Sequence, residues 1–138
     1  MIAVDTNVLV RYAVKDDYEQ AVVATKVLAA NRCLLLKSVL LELVWVLSST
    51  SGYNLPREVV LERLYHILGL QSIEAEDASS ISQALSWYAD GMDFADALHL
   101  AGSADLSGLV TFDRKFAETA EKLDTIPDVS LLDARKAL

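Results

Sequence analysis

The sequence predicts an α/β fold, a parallel sheet with helices on both faces. Three observations lead there. Short apolar runs alternate with longer stretches of helical spacing. Two of those runs stop at an acid, Asp5 and Asp113, as strands do where they deliver a side chain to the sheet edge. No internal repeat, low-complexity tract or linker divides the 138 residues, so residues 1–138 read as one domain.

The elements follow in order. Ile2 to Val4 is a short buried strand whose carboxyl end presents Asp5. Val8 to Val14 is apolar with Arg11 inserted, a short helix that begins near Asn7. Asp16 and Asp17 are in place to cap the next helix, Tyr18 to Ala30, and Asn31 to end it. Cys33 to Leu36 is a second strand. Val39 to Leu47 is helical and apolar nearly all round, the mark of a buried or interface helix, with Glu42 as its charge. Residues 48 to 54, SSTSGYN, form the clear loop. Pro56 fits the first turn of a helix that runs to about Leu68.

Gln71 to Ala75 is a weak strand. Asp77 is placed to cap a helix to about Ala89, which Gly91 ends. Asp93 and Asp96 then open another helix, with Phe94, Ala97, Leu98, Leu100 and Ala101 as its apolar face. Residues three apart are neighbours on a helix, so both carboxylates point the same way. Leu109 to Phe112 is a strand, Arg114 to Leu123 a helix, and Val129 to Leu132 a last short strand.

Composition narrows the function. The net charge is −8 and the pI about 4.6, which argues against a protein that coats nucleic acid by counterion release. It leaves room for a nuclease whose metal supplies the local positive charge, and for a basic protein partner. Hydrophobic residues make up 53% of the chain, yet no run approaches the ~18 residues a membrane span needs. The apolar start meets Asp5 at once and does not read as a signal peptide. A single cysteine, Cys33, excludes an internal disulfide and fits a reducing cytoplasm. His66 and His99 lie in apolar helical segments and read as packing or dimer-contact residues. Zinc, P-loop and dinucleotide patterns are missing from the sequence.

Four acids are candidates for one place. In open α/β sheets, ligands bind beyond the carboxyl ends of the strands. Asp5 and Asp113 leave strands there, Glu42 follows the second strand by about one turn of helix, and Asp96 opens its own helix. Two carboxylates 4 Å apart repel by up to about 4 kcal/mol at an effective dielectric near 20. A divalent cation makes such a cluster tolerable, and oxygen ligands suit Mg²⁺ or Mn²⁺. The chemistry implied is metal-assisted hydrolysis of a phosphodiester. Each acid also has an ordinary use: Asp5 as a turn residue, Glu42 as a solvated side chain, Asp93, Asp96 and Asp113 as helix caps or first-turn acids.

Taken together, these residues resemble the PIN domain, and within it the VapC-type toxins of prokaryotic toxin–antitoxin pairs. The motifs are Val4-Asp5-Thr6-Asn7-Val8-Leu9; Ser38 with Glu42-Leu43; Asp93-Phe94-Ala95-Asp96-Ala97-Leu98; and Thr111-Phe112-Asp113-Arg114-Lys115-Phe116. The resemblance implies a three-layer α/β/α fold with a parallel sheet of about five strands, order 3-2-1-4-5. It implies a Mg²⁺- or Mn²⁺-dependent endoribonuclease with Asp5, Glu42, Asp96 and Asp113 as its acidic quartet. Asp93 is an extra acid that either assists the metal or caps its helix. Thr6 and Asn7 match positions that orient Asp5 or touch substrate. Arg11, Arg114 and Lys115, with Lys15 and Lys37, are the cations available to hold RNA. Members usually form homodimers and are inhibited by a cognate antitoxin that pushes a basic or aromatic segment into the acidic cleft.

Two rival readings differ in kind. A phosphatase with Asp5 as nucleophile usually carries a second aspartate two residues on, where this chain has Asn7. A catalytically idle PIN-like interaction module would not need the quartet. A DNA-binding regulator lacks a basic recognition helix here.

Overall fold

The computed structural model describes residues 1–136. Strand β1 (Ile2–Ala3) leads into α1 (Thr6–Val14) and α2 (Tyr18–Ala30); β2 (Cys33–Leu35) leads into α3 (Lys37–Ser48) and α4 (Arg57–Leu68). Then come β3 (Ile73–Ala75), α5 (Ala78–Ala89), α6 (Phe94–Ala101), β4 (Leu109–Thr111), α7 (Arg114–Leu123), β5 (Val129–Leu131) and a 3₁₀ turn at Ala134–Lys136. The chain divides into two compact units, Met1–Ala78 and Ser79–Leu138.

In the first unit the strands pair in parallel, order β1-β2-β3. Ile2 lies opposite Cys33, and Cys33 in turn opposite Ile73. α1 packs on α2 and α3, and α3 on α4. Leu9, Leu28, Leu35, Leu40, Leu43, Leu47, Leu64 and Ile67 fill the core. In the second unit β4 and β5 pair in parallel, Leu109 opposite Val129. Ile81, Leu85, Met92 and Leu100 are fully buried there, and Tyr88 meets Phe94 edge to face at 5.6 Å.

Acids cap the starts of α1, α2, α6 and α7. Asp17 accepts the Gln20 N–H at 3.0 Å and starts α2, while the Asn31 amide returns to Val27 O at its end. Gly91, at φ 111°, lets the chain turn out of α5. Replacing Asp17 by Ala removes a cap and nothing buried. The expected loss is about 1 kcal/mol, read as a lower urea midpoint.

Two expectations change. The first apolar run is not a buried strand: Ile2 and Ala3 of β1 are exposed, and Val4 beyond them is the buried residue. Pro56 is the N-cap of α4 and stands before its first turn. Asp77 stands immediately before α5, in a left-handed backbone, φ 56°, and is also tied to Lys37 Nζ at 3.2 Å. α3 buries Val39, Leu40, Leu43, Val44 and Leu47 but leaves Trp45 61% exposed, so it has an open face. His66 and His99 are both exposed, and His66 stacks on Tyr12 and shares a 2.8 Å hydrogen bond with its hydroxyl. No helix among the described residues is long and apolar enough to cross a membrane.

Candidate active site

The candidate acids fall in both units. Asp5, Thr6 and Glu42 belong to the first. Val4 is buried and anchors the chain as it leaves β1, and exposed Asp5 becomes the N-cap of α1. Asp5 Oδ1 accepts the Thr6 N–H at 2.8 Å. Thr6 itself is only 6% exposed, and its hydroxyl donates to Glu42 Oε2 at 3.4 Å. One residue thus links the two acids: Thr6 orients Asp5 through its backbone and holds Glu42 through its side chain. Asn7 is exposed and lines a groove of about 630 Å³ with Val8, Arg11, Gln20, Val23 and Val27.

Asp93, Asp96 and Asp113 belong to the second unit. Asp93 caps α6 by accepting the Asp96 N–H at 3.2 Å. Asp113 caps α7 by accepting the Phe116 N–H at 3.2 Å, and its own N–H donates to the Thr111 hydroxyl at 3.0 Å. Asp96, in the first turn of α6, spends no oxygen on a cap. Its carboxyl is pushed up to about 6, first by burial, then by the charges of Asp93 and Asp113, with His99 pulling the other way. Asp93 and Asp113 are therefore close enough for their charges to oppose the ionisation of Asp96.

The cations divide less simply. The Arg11 guanidinium donates to Gln20 Oε1 at 2.7 Å, to Asp16 Oδ1 at 2.8 Å and to the Tyr53 hydroxyl at 3.2 Å. Tyr53 in turn donates to Asp16 Oδ2 at 2.7 Å. Its hydroxyl, with the guanidinium beside it, holds the Asp16 carboxyl below its usual value. Arg11 is thus a clamp between α1, the start of α2 and the loop after α3. Lys37 pairs with Asp77 at 3.2 Å, and Lys15 lies over the Tyr12 ring at 4.3 Å while donating to Tyr12 O. Arg114 and Lys115 are exposed, and the charge of Arg114 helps lower the Asp133 carboxyl after the N–H and side chain of Arg135. Sequence reasoning missed the Arg11–Asp16–Tyr53 group, because nothing in the spacing of residues 11 and 53 brings them together.

Among the described residues, no three His, Cys, Asp or Glu side chains form a group that would hold a metal ion as it stands. The donor chemistry still fits a hard divalent cation. Every candidate offers carboxylate oxygen, and the crowding at Asp96 is the electrostatic condition that a cation relieves.

The comparisons with known proteins agree with the motifs. A search of curated proteins finds no match. The family profile of the PIN domain matches residues 2–122, nearly the whole chain. The chain therefore belongs to the PIN domain family, whose members are generally nucleases and generally use divalent metals.

Proposed function

We propose that the protein is a Mg²⁺- or Mn²⁺-dependent endoribonuclease, the toxin of a toxin–antitoxin pair, built as a single PIN-like domain with its strands in the order 3-2-1-4-5. The observation that carries the proposal is the state of Asp96, a half-buried carboxyl pressed by Asp93 and Asp113 and free of any capping duty. Ionised at neutral pH, such an arrangement opposes folding, which makes it a mark of function.

In this reading Asp5, Glu42, Asp96 and Asp113 hold the cation, with Asp93 beside them. When bound, the cation supplies positive charge that makes water a nucleophile at neutral pH and offsets charge building on the phosphate. The chain's own part is positional. Thr6 orients Asp5 through its N–H and links it to Glu42 through its hydroxyl. Asn7, Arg114 and Lys115 remain open to touch the RNA backbone, while Arg11 acts from behind as the clamp. In-line attack on an RNA phosphate would leave a 3′-hydroxyl and a 5′-phosphate. A chain of charge −8 suits a basic antitoxin segment, and a homodimer in the cytoplasm fits the same reading.

The test is cleavage of structured RNA with Mg²⁺ or Mn²⁺, before and after EDTA, beside Asp5→Asn. We expect activity that EDTA abolishes and the variant lacks. Equal cleavage in all samples would refute the proposal. Metal binding without cleavage would favour the idle-module reading, and a trapped phospho-aspartate would favour the phosphatase.

A further inference from the structure

We infer that Glu76 is a positioning residue for Glu42, acting through the first turn of α3. This inference rests on the reading of Glu42 as one of the four catalytic acids. A helix leaves N–H groups unmet at its start, and a side chain at the N-cap ordinarily meets one of them. α3 has no such side chain, since its N-cap is Leu36. The hydrogen bond comes instead from 39 residues away, where Glu76 Oε1 accepts the Lys37 N–H at 2.9 Å.

The same residue grips the strand that feeds α3. The Glu76 N–H donates to Leu35 O at 2.9 Å, one step beyond the β2–β3 ladder. Glu76 therefore holds both sides of the junction between β2 and α3, by its backbone on one side and its carboxylate on the other. A second tie runs alongside, from Lys37 Nζ to Asp77 Oδ2 at 3.2 Å. A carboxylate at a helix N-terminus is also favoured by the helix dipole.

The effect reaches Glu42 through the helix itself. Glu42 lies about 7.5 Å along the axis from Lys37, at 1.5 Å per residue. Its carboxylate meets the Thr6 hydroxyl at 3.4 Å, near the outer limit of a hydrogen bond. A contact that long is lost on a small shift. Lys37 and Glu42 are the two charged residues of α3, and both are tied. Glu76 and Asp77 hold the first, and Thr6 holds the second. Releasing the first turn lets the helix move or fray where its acid must be placed to a fraction of an ångström.

The experiment compares Glu76→Ala, Glu76→Gln, Glu76→Asp, Asp17→Ala and Glu42→Gln in the full chain. Three quantities are read: Mn²⁺ affinity by calorimetry, amide exchange at residues 37 to 40 without metal, and kcat and KM on RNA. Glu76→Ala is expected to weaken Mn²⁺ about 10-fold, speed exchange at Lys37, and lower kcat more than it raises KM. Glu76→Gln, whose amide oxygen still accepts the N–H, restores most of this. Glu76→Asp keeps the charge but withdraws the oxygen, and falls between the two. Asp17→Ala loses a cap of the same kind on α2 and should lower Tm with Mn²⁺ affinity and kcat unchanged. If Glu76→Ala behaves like Asp17→Ala, Glu76 is a cap and nothing more, and the inference falls. If Glu42→Gln also leaves Mn²⁺ affinity and kcat unchanged, the reading of Glu42 falls with it. Loss in Glu42→Gln without loss in Glu76→Ala overturns this inference alone.

Discussion

Asp96→Asn is expected to lower RNA cleavage at least about 100-fold and, in metal-free protein, to raise thermal stability at neutral pH. Both effects have one cause. Burial and the charges of Asp93 and Asp113 push the Asp96 carboxyl up from 3.8 to about 6. Its folded value lies above its unfolded one, so the folded state binds the extra proton. The stability this confers is present in full below about pH 4 and is lost as pH rises through about 6. At pH 7.5 the ionised group opposes folding. Screening by solvent limits that opposition to about 1 kcal/mol, since the site is only half-buried. Asparagine has no charge to lose, so the variant should melt a few degrees higher at pH 7.5 and equally with wild type at pH 4. Adding Mn²⁺ should raise the Tm of wild type and leave that of the variant nearly fixed. An Asn variant that is less stable at pH 7.5 and fully active would show that the carboxylate serves the fold and not the reaction.

How far the sequence carries this picture depends on distance along the chain. The bounds of α2 and α7 were readable to the residue, because Asp17 and Asp113 stand where a cap must and Asn31 ends α2. The grouping of Asp93 with Asp96 followed from helical spacing, and Asp113 joins them electrostatically. Bonds between remote residues stayed hidden. Glu76 caps a helix that starts at Lys37, and Tyr53 reaches Asp16 and Arg11. Neither pairing leaves a periodic trace. Arg11 therefore read as a cation near substrate until its partners were seen, and the tie from Lys37 to Asp77 was hidden in the same way. The exposure of Trp45 was hidden for another reason. An all-apolar helix looks the same whether every face is covered or one is left open.

Leu43→Ala is expected to cost about 3 kcal/mol, the largest loss of stability among these predictions. Leu43 is 0% exposed, in a helix that packs on both α1 and α4. Removing its branched end forfeits transfer free energy and leaves a void that packed helices close only in part. The urea midpoint should fall by roughly 1.5 M, taking a slope of about 2 kcal/mol/M. A fall under about 0.5 M would mean that the helices collapse onto the gap. The neighbouring Glu42 is exposed and points elsewhere, so folded Leu43→Ala should still bind Mn²⁺, though with a looser hold on α3. Loss of metal binding without loss of stability would place Leu43 in the site and contradict its burial.

The chain holds two tryptophans, Trp45 within Met1–Ala78 and Trp87 within Ser79–Leu138. The first is 61% exposed and the second 8%. Each half of the polypeptide thus carries its own intrinsic fluorophore, one emitting from a wet setting and one from a dry one. Single Trp→Phe replacements would separate the two signals. Whether both halves lose structure in one cooperative step or in succession is then visible without any added label.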